Sequence, residues 1–234
     1  MREFRQTRFE VLPVVIKNLI IINALMFLSQ WVLGPDIETK IFNVFALHTW
    51  QSPLFKPWQF ITYLFLHGSF EHIFFNMFAL WMFGSVLENL WGPKKFLTFY
   101  FICGLGAALC HMVALYFEMQ PYVDAFNSLS FAQQQHVLND PNFILYEPTL
   151  GASGAVFGCL AAFGYLFPNA LMYIFFIPVA IKAKWIVIGY IAIELFLALQ
   201  NSAGDNVAHI AHLGGAIFGL ALVYFWNKTN KRTF

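Results

Sequence analysis

The sequence predicts an all-α, polytopic membrane protein of six transmembrane helices. Three observations carry that prediction. The 234 residues are 59% hydrophobic and only 11% charged, with mean hydropathy +0.64, whereas soluble domains carry about 25% charged residues. Apolar runs recur that approach the roughly 20 residues a helix needs to cross a hydrocarbon core. The basic residues fall on one side of the membrane only when six spans are counted.

Taken in order, helix one is expected near Val14–Leu33 and helix two near Phe60–Leu90. Helix three follows near Phe96–Phe117, helix four near Leu150–Phe167, helix five near Trp185–Leu199 and helix six near Val207–Trp226. The stretch after Arg2, Arg5 and Arg8 lacks a small-residue cleavage site, so it reads as a retained first span and not a signal peptide. Leu171–Ile181 is apolar as well, but Pro178 interrupts it and Lys182 follows, which favours a short interfacial connection. The division that results is a short tail at 1–13, a six-helix domain at 14–226 and a basic tail at 227–234.

Charge supports the count. Arg2, Arg5, Arg8, Lys17, Lys94, Lys95, Lys182, Lys184, Lys228, Lys231 and Arg232 share one side, which is eleven of the thirteen basic residues. Only Lys40 and Lys56 fall opposite. The positive-inside rule then puts both termini in the cytoplasm, and the short tails suggest a prokaryotic cytoplasmic membrane. A net charge of +1 implies no nucleic-acid partner. Cys103, Cys110 and Cys159 all lie in apolar runs and read as small core residues, not as a disulfide framework or metal site.

Two outer connections are long. Gly34–Gln59 is rich in Phe, Leu and Trp, with Trp50 and Trp58 suited to the headgroup level, and is expected to lie against the membrane. Glu118–Pro148 is polar and has room for a short helix.

The polar residues inside the spans carry the chemistry. Ser153, in Gly151-Ala152-Ser153-Gly154, lies 15 residues before Pro168, and His212 lies 15 before Asn227. At 1.5 Å per residue both stand about 22 Å from the inner surface, at matching depth. His72 and Asn76 share a face of helix two. Gly154 and Gly158 on helix four, and Gly215 and Gly219 on helix six, have the small-xxx-small spacing that lets helix backbones touch. Taken singly, such a Ser or Gly is usually packing; together they place a nucleophile, a base and two donors at one depth, where polar groups are costly and tend to mark function.

The chemistry these parts allow is acyl transfer. His212 can take the Ser153 proton, and the Ser153 backbone N–H with the side chains of His72 and Asn76 can meet an oxyanion. No acid is expected at that depth, since Asp205 sits at the rim and Glu194 is ambiguous, so the expectation is a Ser–His dyad steadied by packing and by the Phe157 ring. His67 is expected at the rim in water or loop contacts, and His111 has no evident partner. Glu88, between Gly84 and Gly92, reads as a structural acceptor for neighbouring backbone. No metal or organic cofactor is called for.

These motifs resemble the rhomboid family of intramembrane serine proteases. The matching pieces are His67-Gly-Ser-Phe-Glu-His72-Ile-Phe-Phe-Asn76, the Gly84–Glu88–Gly92 pattern, Gly151-Ala152-Ser153-Gly154 and Ala211-His212-Leu-Gly-Gly215, in order from about Trp58 to Trp226. The resemblance implies a Ser153 nucleophile and a His212 base, with an oxyanion hole of His72, Asn76 and Ser153. It also implies transmembrane protein substrates that arrive sideways, past helix five or the first outer loop, and water reaching the site from outside. Family members often have Tyr where Phe157 stands and Trp-Arg where Trp58-Gln59 stands, which bears on the packing behind His212 and on first-loop anchoring. The rival readings are a catalytically silent rhomboid-like protein that binds client helices, and a transporter or channel.

Overall fold

The computed structural model describes residues 9–173, 179–200 and 206–229. Arg2, Arg5, Arg8, Pro178, Asp205, Lys231 and Arg232 lie outside the described residues. Eight main helices and one two-stranded ribbon follow in order: α1 Val14–Val32, α2 Pro35–Phe45, α3 Phe70–Trp91, α4 Pro93–Asn127, α5 Phe131–Leu138, α6 Ser153–Leu166, β1 Leu171–Tyr173, β2 Ala180–Lys182, α7 Ala183–Leu199 and α8 Asn206–Thr229. Helices α1, α3, α4 and α8 are long and apolar enough to cross a membrane, while α6 (14 residues) and α7 (17 residues) are shorter. They occupy the positions expected for helices four and five.

Local signals explain most boundaries. α1 starts after Pro13, and the carboxylate of Glu88 accepts the otherwise orphaned N–H groups of Val15 and Ile16, each at 2.9 Å. That is the structural role expected for Glu88, and it places negative charge at a helix N-terminus, where the dipole favours it. α2 fills part of the first outer connection; Gly34, at φ +81°, turns the chain into Pro35 at its first position. Gly92, at φ +79°, ends α3 and Pro93 opens α4.

Helix two differs from expectation. A four-residue turn at Gln59–Thr62 and a 3-10 turn at Tyr63–Phe65 come first, and the helix begins only at Phe70, with the Ser69 hydroxyl accepting the His72 N–H at 3.1 Å. Gly68-Ser69 breaks the apolar run because a serine cap competes with helix continuation. His67 is therefore not on the helix, nor at a wet rim. It is fully buried, its backbone is held by Gln30 of α1, and its ring meets that of His72 edge-on at 5.0 Å.

Helix three also runs longer than expected. α4 has 35 residues, about 52 Å at 1.5 Å per residue, so its last turns leave the membrane and build the start of the second outer connection. Their polar composition stops lipid contact without stopping a helix. The same connection holds α5, opened by a capping box between Ser130 and Gln133. The segment after α6 is an antiparallel ribbon pairing Leu171–Tyr173 with Ala180–Lys182.

The first outer connection is organised by Gln59, which is completely buried. Its amide donates to the carbonyls of Leu54, Val44 and Asn43 at 3.0–3.4 Å and accepts from the N–H groups of His48 and Lys56. Trp58 donates to Val44 O at 2.9 Å. The residue that departs from the family pattern at this point thus ties the loop down by itself.

At the centre lies α6. All residues from Gly158 to Gly164 are buried, as expected of a helix that is apolar all round. α8 packs chiefly against α4 and α6. Added to Gly215, a Cβ would stand 1.9 Å from Gly154 O; added to Gly219, 2.8 Å from Gly158 O. The two glycine pairs face each other, and the backbones touch. Cys103 packs against Gly158 and Cys110 against Gly214, and all three cysteines are free thiols.

Candidate functional site

Ser153 is the first residue of α6. The chain reaches it through Gly151, whose φ of +123° disfavours any L side chain. Space forbids one too, since a Cβ there would lie 2.7 Å from Nε2 of His72. The His72 imidazole is thus packed on the backbone just ahead of Ser153. The approach is fixed from both sides: Gly151 N–H donates to Tyr63 O at 3.0 Å, and Leu47 and Thr149 exchange backbone hydrogen bonds at 2.8 and 2.9 Å. His111, unassigned from sequence, meets the Thr149 hydroxyl.

Across the glycine contact, Nε2 of His212 lies 2.8 Å from Ser153 Oγ. The Phe157 ring stacks on the imidazole, with centroids 4.4 Å apart and planes 5° from parallel. A phenyl ring therefore fills the place behind His212 without a hydroxyl. Asn76 is 6% exposed and donates to His72 O, one turn back, at 3.0 Å. A side-chain amide carries two N–H groups, so the second is still available to another acceptor.

Glu194 of α7, ambiguous from the sequence, stands beside His212. Its Oε2 is 2.6 Å from Nδ1 of His209 and 3.0 Å from Nδ1 of His212. The His212 contact is close in distance but forms no aligned hydrogen bond. Depth measured from the inner surface hid this residue. Counted instead from the facing helix ends, Glu194 lies five residues before Leu199, the last of α7, and His212 six after Asn206, the first of α8, and that matching offset was the available signal.

Glu194, His209 and His212 could in principle offer a metal one atom each, all within 4.8 Å of one another. The 2.6 Å contact is instead a charge-assisted hydrogen-bond distance. A hydroxyl paired with a ring nitrogen, a second imidazole packed on the backbone just ahead of it, and a carboxylate beside the first imidazole can activate an alcohol and receive negative charge.

Residues 54–228 match the family described as "Rhomboid domain". The chain is 29% identical over 215 residues to "Rhomboid protein 1, mitochondrial" of Saccharomyces cerevisiae, covering 81% of this chain and 52% of that protein. It is 30% identical over 165 residues to "Rhomboid protease GluP" of Bacillus subtilis, covering 70% and 25%. It is 27% identical over 216 residues to "Rhomboid protease AarA" of Providencia stuartii, covering 86% and 68%. It thus spans about half or less of the first two relatives. Because the relatives include mitochondrial and chloroplastic proteins beside bacterial ones, the expectation of a prokaryotic membrane finds no support in them; an integral membrane protein does.

Proposed function

The chain belongs to the rhomboid family, and on that premise we propose that it is an intramembrane serine endopeptidase acting on transmembrane protein substrates. The 2.8 Å pairing of Ser153 Oγ with His212 Nε2 carries the reading. Neutral His212 accepts the hydroxyl proton at Nε2 while Oγ attacks the substrate carbonyl. The oxyanion is met by the Ser153 backbone N–H, at the positive end of α6, and by Asn76 and His72. His212 then returns its proton to the leaving amine, and water hydrolyses the acyl-enzyme on Ser153. No metal or organic cofactor takes part. Clients are selected by how readily a span unwinds, since a helical peptide bond hides its carbonyl from attack.

The test is purified protein in detergent with a single-span substrate, beside Ser153→Ala and His212→Ala. Cleavage by the wild type alone is expected. Cleavage by Ser153→Ala would remove Ser153 as nucleophile. Folded wild type that cleaves none of a panel of clients would shift the reading to a silent client-binding protein.

A further inference from the structure

We propose that Glu194 is a positioning residue for the base: held by His209, its carboxylate fixes the proton of neutral His212 on Nδ1 and stabilises the imidazolium that forms when Ser153 is deprotonated. The inference rests on the serine-protease reading above and adds a third side chain to it.

An ionised carboxylate inside an apolar span is costly unless it is partnered. The side chains of Glu194 and His209 are each 11% exposed and that of His212 18%. A single oxygen, Oε2, approaches both histidines, which lie three residues apart on one face of α8. His212 has Nε2 turned to Ser153, so its one proton must reside on Nδ1 if it is to act as a base. The carboxylate charge lies 3.0 Å from that atom. Nδ1 makes no aligned hydrogen bond in this conformation, so the influence is first that of charge at short range, and such bonds commonly tighten when substrate binds. The ring cannot turn away freely, because Phe157 is stacked on its face.

Protons balance simply. The Ser153 proton moves to Nε2, the Nδ1 proton stays on the ring, and Glu194 remains a carboxylate throughout. A divalent ion held at about 2.0–2.2 Å from each ligand would separate Oε2 from the His209 nitrogen, whereas the two are in direct contact at 2.6 Å.

Glu194→Gln separates charge from structure. The amide oxygen can still accept from His209, so a purely structural role predicts little change. The proposal predicts an unchanged melting temperature, KM within about two-fold and kcat lower by about ten-fold or more. Labelling of Ser153 by a fluorophosphonate should slow in parallel, and Glu194→Asp, which keeps the charge on a shorter arm, should fall in between. Wild-type kcat in a folded Glu194→Gln protein would overturn the inference and leave the protease reading standing. So would equal kcat in folded Gln and Asp variants, and so would wild-type activity abolished by EDTA, which would point to a bound cation. Wild type that fails to cleave and to label would instead strike the protease reading itself, and this inference with it.

Discussion

Ser153 and His212 meet because Gly215 lies directly against Gly154. The hydroxyl and the imidazole are 2.8 Å apart, and one turn further along α8 a methyl group on Gly215 would stand 1.9 Å from the Gly154 carbonyl oxygen. The Ser153–His212 contact thus depends on two backbones approaching as closely as backbones can.

Gly215→Ala is accordingly expected to force α8 from α6. Overpacking of this kind costs about 1–3 kcal/mol, and a misplacement of about 1 Å can cost about 10²-fold in rate. Thermal melting together with fluorophosphonate labelling of Ser153 would check it. Wild-type labelling in the alanine variant would mean that the helices can separate without disturbing the pair.

Phe157→Leu should weaken the support behind the imidazole while keeping the site apolar. Loss of a stacked aromatic contact is worth about 1 kcal/mol, or about five-fold in kcat. Phe157→Tyr, the residue common in the family, should retain activity. Steady-state cleavage of a single-span substrate by the three proteins decides it.

Glu88→Ala removes both acceptors from the start of α1. The buried Ile16 N–H left without a partner costs about 1–3 kcal/mol and the partly buried Val15 N–H less, so the variant should melt at a lower temperature, with faster exchange at the Val15 and Ile16 amides. Ser153 should still label at low temperature, since Glu88 is at the opposite end of the molecule's long helices from the reactive pair.

His48 introduces a pH dependence in the first outer connection. It is fully buried, with Nε2 3.2 Å from Phe42 O, and burial holds its pKa below the ordinary 6.5. In the unfolded chain the ring therefore binds a proton at a higher pH than in the folded loop, so stability rises with pH across that window. The contribution is complete above about 6.5 and is lost as the pH falls from there toward the lowered value. Protection factors over 35–62, with the pH dependence of intrinsic amide exchange divided out, should fall from pH 7 to pH 5, and His48→Gln should flatten the change.

How much of this was legible in the sequence follows from the kind of force involved. The spans and the Gly154–Gly215 approach were readable because they depend on periodicity and residue size along single helices. The late start of α3 was written in Gly68-Ser69, but an apolar run from Phe60 to Leu66 masked it. The length of α4 was hidden because a helix leaving lipid changes its composition and not its hydrogen bonding. His67 and Gln59 were not readable at all: each is buried by a loop whose path no local pattern fixes. Glu194 stayed ambiguous for want of register between neighbouring helices, a relation that no pattern along a single helix carries.

The brevity of α6 has a consequence for where a client is cut. Fourteen residues reach about 21 Å, roughly 9 Å short of a hydrocarbon layer about 30 Å thick. Because Ser153 is the first of the fourteen, that shortfall works as a ruler. On the proposed chemistry the scissile bond is met within about six helical residues of the outward end of the client's own span, and a client is measured by the length of a helix it is not part of. Moving the first turn of α6 would move the cut.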